Sequence, residues 1–99
     1  MVHQIIFKKR FQNKLQNLLS YIEKEFGLIV AQRFAKQLDK KFSILQQQPF
    51  IGKPSLYIQN VKSIHAGKHN RLYYRIEGDK IIVLNMYDTR INPKRNRLK

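Results

Sequence analysis

VKSIHAGKHNRLYYRIEGDKIIVLNMYDTR, residues 61–90, decides the fold. Two runs rich in β-branched and aromatic residues, 70–77 and 80–88, flank Gly78-Asp79, a pair suited to a two-residue hairpin turn. With that turn as origin, the period of two sets Glu77 opposite Lys80, Ile76 opposite Ile81, Tyr74 opposite Val83 and Leu72 opposite Asn85. Leu72, Tyr74, Ile76, Ile81, Val83 and Tyr87 then share the core face. The other face carries Arg71, Tyr73 and Arg75 beside Ile82, Leu84, Met86 and Asp88, with Lys68 and His69 at the open end. A β-bulge anywhere in the hairpin would change this register. Residues 61–66 read as a lead-in strand and Gly67-Lys68-His69 as a turn.

Upstream the pattern changes period. Val2–Phe7 reads as a short strand. Phe11, Leu15, Leu18, Leu19, Ile22 and Phe26 then recur at helical spacing, and Gly27 stops that helix. Ala31, Phe34, Ala35, Leu38, Phe42 and Leu45 form a second helical stripe before Pro49. Two helices of similar length around Gly27 imply an antiparallel hairpin, its stripes turned to the core face of the sheet. Residues 49–55 (PFIGKPS) read as a loop, and 56–60 are ambiguous. The expected fold is α+β: an N-terminal strand and a helical hairpin packed on a three- to four-stranded antiparallel sheet. Residues 1–99 make one domain, with 91–99 a basic tail.

Composition narrows the partners. Twenty Lys and Arg against six Asp and Glu leave a net charge of +14, a field that attracts polyanions or an acidic protein. There is no cysteine, which excludes disulfides and thiolate metal sites. The amino terminus holds only a three-residue apolar run, 5–7, too short for a secretory leader, and no run approaches the ~20 residues of a membrane span. A cytoplasmic location is expected, with no membrane partner.

Cleavage of RNA by its 2′-hydroxyl needs a base, cations on the crowded phosphorane and an acid for the leaving oxygen. Arg71, Arg75 and Arg90 can stabilise that charge, because a planar guanidinium grips two phosphate oxygens. His69 is the natural proton carrier, histidine being the side chain that ordinarily titrates nearest neutrality. Lys62 and Lys68 can add phosphate contacts, and Tyr73 can stack on a base. His3 and His65 read as structural. The tail cations Lys94, Arg95 and Arg97 extend the nucleic-acid surface, and Lys8, Lys9 and Arg10 can add further RNA contacts. No metal or cofactor is required.

YIEKEFG at the helical bend (21–27), LQQQPFIGKPS (45–55), RLYYRI (71–76), the Gly-Asp turn and DTRINP (88–93), in that order, resemble the RelE/ParE superfamily of bacterial toxins. These are the toxin halves of type II toxin–antitoxin modules, also known as plasmid stabilisation proteins. The resemblance implies a small antitoxin partner with an acidic wrapping segment. It implies one of two targets: RelE-like members cut mRNA on the ribosome, and ParE-like members poison DNA gyrase without a catalytic site of their own. On the ribonuclease side, Arg71 matches the arginine that contacts the scissile phosphate, Arg90 a second arginine after the last core strand, and Lys62 a lead-in lysine. Ribonuclease members often end in a tyrosine or a His-Tyr pair, and this chain has neither after Arg90. A metal-independent mRNA endoribonuclease using Arg71, Arg90, His69 and Lys62 is the favoured expectation, with gyrase inhibition the alternative. In the gyrase reading the basic tail would be the contact.

Overall fold

The computed structural model describes residues 3–88. Arg90 and the tail cations Lys94, Arg95 and Arg97 lie outside the described residues. The order is β1 (Gln4–Phe7), α1 (Lys9–Phe26), α2 (Leu28–Gln47), a 3-10 turn (Pro49–Ile51), β2 (Lys53–Pro54), β3 (Val61–His65), β4 (Asn70–Glu77) and β5 (Lys80–Asp88). One sheet holds all five strands in the order β1-β5-β4-β3-β2. The expected α+β arrangement is present, with two differences. β1 joins β5 in parallel, and Lys53–Pro54 in the expected loop pairs with β3, so the sheet is five-stranded and mixed rather than three- or four-stranded and antiparallel. Parallel pairing follows from the connection: two helices separate β1 from the sheet, which is the crossover such a pair requires.

Gly27 alone joins the two helices. Its φ of 96° and ψ of 166° lie in a region open in practice to glycine. That single residue reverses the chain, and it is a tighter link than the sequence suggested. Phe11, Leu38, Phe42 and Leu45 of the helices are buried on Leu72, Tyr74, Ile81, Val83 and Met86 of the sheet. Phe7, Phe11 and Phe42 meet as an aromatic cluster with ring centroids 4.9–6.0 Å apart. Truncating one of these side chains to alanine would cost about 2–5 kcal/mol. The stripe does not stay buried to the bend, where Phe26 is 62% exposed.

The hairpin register departs from strict alternation at one place. Glu77↔Lys80, Ile76↔Ile81 and Tyr74↔Val83 pair as expected, but Tyr73 then pairs with Asn85, leaving Leu84 without a partner. Beyond this bulge every face is inverted. Leu72 opposes Met86, which is buried in the core, and Arg71 opposes Tyr87. Tyr87 therefore belongs to the outer face and Met86 to the inner one, the reverse of the sequence expectation. A single inserted residue exchanges the two sides of a strand because side chains alternate with a period of two.

Candidate functional site on the outer sheet face

Cross-strand pairing places His65 (β3), Arg71 (β4) and Tyr87 (β5) in one transverse row on the face away from the helices. The next row is Ser63, Tyr73 and Asn85, and the one after it Val61, Arg75 and Ile82.

Arg71 is braced on two sides. Its Nε donates to Ser63 Oγ at 2.7 Å, and one terminal nitrogen lies 3.2 Å from His65 Nε2. A guanidinium has only donors, so His65 Nε2 is the accepting side of this contact. Neither contact is an ion pair with a carboxylate, so the guanidinium keeps its charge for an anion. Ser63 is buried and His65 exposed, so the arginine is anchored from beneath and flanked by an accessible imidazole.

Tyr87 completes the row. Its ring meets Tyr73 edge-on at 5.6 Å, and Lys14 of α1 places its Nζ 4.5 Å from the ring centroid. Buried Asn85 donates from Nδ2 to the Tyr87 hydroxyl at 3.1 Å while its Oδ1 accepts the Met86 N–H at 2.8 Å. A hydroxyl that accepts from Asn85 retains its own proton to donate elsewhere.

The sequence-derived candidates divide. Arg71, Tyr73 and Arg75 share the outer face. Arg75 Nε forms an ion pair with Glu77, a contact without the alignment of a hydrogen bond, and both side chains are well exposed. Lys62 is the cross-strand partner of Tyr74, which places it on the helix side of the sheet, away from Arg71. Lys68 and His69 lie in the turn between β3 and β4. The imidazole in contact with Arg71 is His65, read from sequence as structural. His65, Ser63, Asn85 and Tyr87 are the neighbours that sequence reasoning missed. Strict alternation along 61–65 does put Ser63 and His65 on one face, but Tyr87 and Asn85 could be found only by locating the bulge.

On the inner side, the buried Tyr74 hydroxyl donates to Pro49 O at 2.8 Å and accepts the Gly52 N–H at 2.9 Å, pinning the 49–52 turn over the sheet. Burial pushes its phenol pKa up, and the Gly52 hydrogen bond opposes that in part. A Cβ at Gly52 would collide with the Tyr74 hydroxyl and come within 2.9 Å of Lys62 Cβ. Among the described residues no group of three or more His, Cys, Asp or Glu could hold a metal, and no helix is long and apolar enough to cross a membrane.

The fold recurs in solved structures of toxin–antitoxin systems. The chain resembles a chain of the chromosomal ParDE toxin–antitoxin system from P. aeruginosa, with a TM-score of 0.76, 16% identity, 88% of this chain and 96% of that one covered. It also resembles a chain of the RelBE2 toxin–antitoxin complex from Mycobacterium tuberculosis, with a TM-score of 0.63, 20% identity and 89% and 99% coverage. YoeB from Staphylococcus aureus gives a TM-score of 0.60 at 14% identity, covering 86% and 94%. At these identities the likeness establishes the fold. A comparison with curated protein sequences gave no match. Residues 5–93 match the family model described as the ParE toxin of the type II toxin–antitoxin system parDE. Nearly the whole chain is thus accounted for, and it belongs to this family of toxins.

Proposed function

We propose that the outer sheet face is the working surface of this toxin and that it arrests growth by cleaving mRNA on the ribosome without a metal. The observation that carries this reading is the contact of Arg71 with His65. A guanidinium that turns from His65 toward a phosphate releases the imidazole lone pair beside that phosphate. His65 Nε2 then takes the proton of the 2′-hydroxyl, O2′ attacks phosphorus, and Arg71 stabilises the charge on the phosphorane oxygens. As the P–O5′ bond breaks, O5′ takes a proton from the Tyr87 hydroxyl, leaving a 2′,3′-cyclic phosphate and a free 5′-hydroxyl. Base and acid flank Arg71 on opposite sides, as in-line displacement requires. Tyr73 supplies a face on which a base stacks.

Gyrase inhibition is the second reading. Two observations favour it: Lys62 faces away from Arg71, and the family matched is that of the ParE toxins. Primer extension on a translated reporter message after brief induction separates the two. New 5′ ends within the coding region for wild type, absent for Arg71→Ala, are expected. An intact message in arrested cells, with loss of supercoiling by purified gyrase, would replace the nuclease reading with the gyrase one.

A further inference from the structure

The helical bend carries apolar surface that the core does not use. Tyr21, Phe26, Leu28, Ile29 and Val30 are exposed there, Ile29 by 72%. The Tyr21 and Phe26 rings meet edge-on with centroids 6.5 Å apart, so they act as one block. The five side chains expose roughly 600 Å², as much as the largest apolar patch of an ordinary monomer. Ile29, Gln32, Arg33 and Lys36 recur along one side of α2 and, with Ala35, line an open groove of about 640 Å³. The charge of the bend also differs from the rest of the chain. Residues 21–30 hold Glu23 and Glu25 against Lys24, a net −1 on a chain of +14. Both carboxylates lie in the last turn of α1, where the helix end is itself negative, so their placement does not favour one copy alone. Among the described residues, none of Glu23, Glu25, Arg33 and Lys36 has an ion-pair partner.

We infer that the bend pairs with the bend of a second copy of this chain, forming a two-fold dimer. In such an isologous contact Phe26 of each copy enters the groove beside Ile29 of the other, and Glu25 of each meets Arg33 of the other. Covering both patches buries about 1,200 Å², the lower end of a standard interface, so the dimer is weak and reversible. Charge selects this occupant. An acidic segment is repelled by Glu23 and Glu25 and drawn to the cationic remainder of the molecule. A second copy is itself cationic, and the carboxylates of the bend can receive its arginine. The other exposed apolar group, Phe50, Ile51, Leu56 and Tyr57, would set like charges together, because residues 40–76 contain no Asp or Glu. Repulsion between the two bodies is screened beyond about 8 Å at physiological ionic strength, whereas partly buried pairs are screened much less. The Arg71 row lies on the sheet face away from the helices, so pairing at the bend leaves it open in both copies. The inference therefore holds whether the target is mRNA or gyrase.

Sedimentation velocity of the full chain across the micromolar range, at physiological ionic strength, tests it. The mass is expected to rise with concentration from one chain toward two. Phe26→Ser with Ile29→Ser, both exposed, should leave a monomer throughout, while Phe50→Ser with Leu56→Ser should associate as wild type does. Glu25→Arg and Arg33→Glu should each weaken the dimer roughly tenfold, since the two-fold repeats the ion pair. Combined in one chain they exchange the two signs and should restore it. A monomer at every concentration would overturn the inference and leave the bend to a partner of another kind. A dimer that survives the Phe26 and Ile29 changes, or one that the double charge exchange fails to restore, would overturn it as well. An unchanged thermal midpoint for each variant keeps a folding defect from imitating a lost contact.

Discussion

Arg71 on β4 and Tyr87 on β5 stand directly opposite each other on the outer face, and unpaired Leu84 is what makes them partners. Were Leu84 paired with Tyr73, Asn85 would face Leu72 in the core and Tyr87 would turn inward. Deleting Leu84 removes the inserted residue and leaves Asn85 opposite Tyr73 and Met86 opposite Leu72 in strict alternation, so Met86 should stay buried and the cost should stay near the roughly 1 kcal/mol of an ordinary point change. Urea unfolding measures it. A loss of about 2–5 kcal/mol, the size of a lost Met86 burial, would mean that Leu84 is not the inserted residue.

His65→Asn keeps an acceptor beside Arg71 but removes the group that carries a proton. The cleavage rate constant on ribosome-bound message should fall by about 10²–10⁴-fold while binding and thermal midpoint stay near wild type. Ser63→Ala, which unpins the Arg71 Nε, should instead weaken substrate binding as well. Full cleavage by His65→Asn would remove His65 from the mechanism.

Tyr74→Phe leaves the Pro49 carbonyl and the Gly52 N–H without their buried partner, an expected loss of about 1–3 kcal/mol. The raised phenol pKa adds a pH signature. The folded state holds the proton more tightly than the unfolded chain, so this contribution is fully present below about pH 10, the ordinary tyrosine value, and is lost as pH rises through the higher folded value. The stability difference between wild type and Tyr74→Phe should accordingly narrow in alkali. A difference independent of pH would contradict the burial of that hydroxyl.

Gly27→Ala tests the one-residue helical bend. Open space surrounds the position, so steric contact costs nothing, and the expected loss of about 1–3 kcal/mol is backbone strain alone. Gly78, at φ 62°, lies in the left-handed region that asparagine also visits, so Gly78→Asn should be milder. Thermal melts of the two variants give the ranking, and equal effects would refute it.

Lys9→Glu tests the amino-terminal end of α1. The first turn of α1 holds no acidic residue and no side-chain cap, although the positive end of a helix favours a carboxylate there. Thermal melts in low salt should show the variant gaining about 0.3–1 kcal/mol of stability. A loss of stability would show that Lys9 makes a contact its position does not suggest.

Much of the architecture was legible because local signals agreed. Gly78-Asp79 marked the hairpin turn, Gly27 the helical bend, and the stripes through Phe11 and Leu45 the faces that bury against the sheet. β1 was seen as a strand, but its parallel seat beside β5 was not, since four residues, Gln4–Phe7, carry no signal for a partner two helices away. The site was half legible. Arg71, Tyr73 and Arg75 alternate on the unbulged strand β4, and alternation there held throughout.

The sequence by itself determined the element order, the cationic character of one strand face and the family likeness, because each depends on residue type and spacing along a short stretch. Only the tertiary structure decided which side of β5 lies on the outer face of the sheet. Nothing in Val83-Leu84-Asn85 announces an inserted residue. The bulge is chosen by the whole core, which gains Met86 and releases Asn85 and Tyr87 to the outer face. That exchange of faces puts Tyr87 beside Arg71.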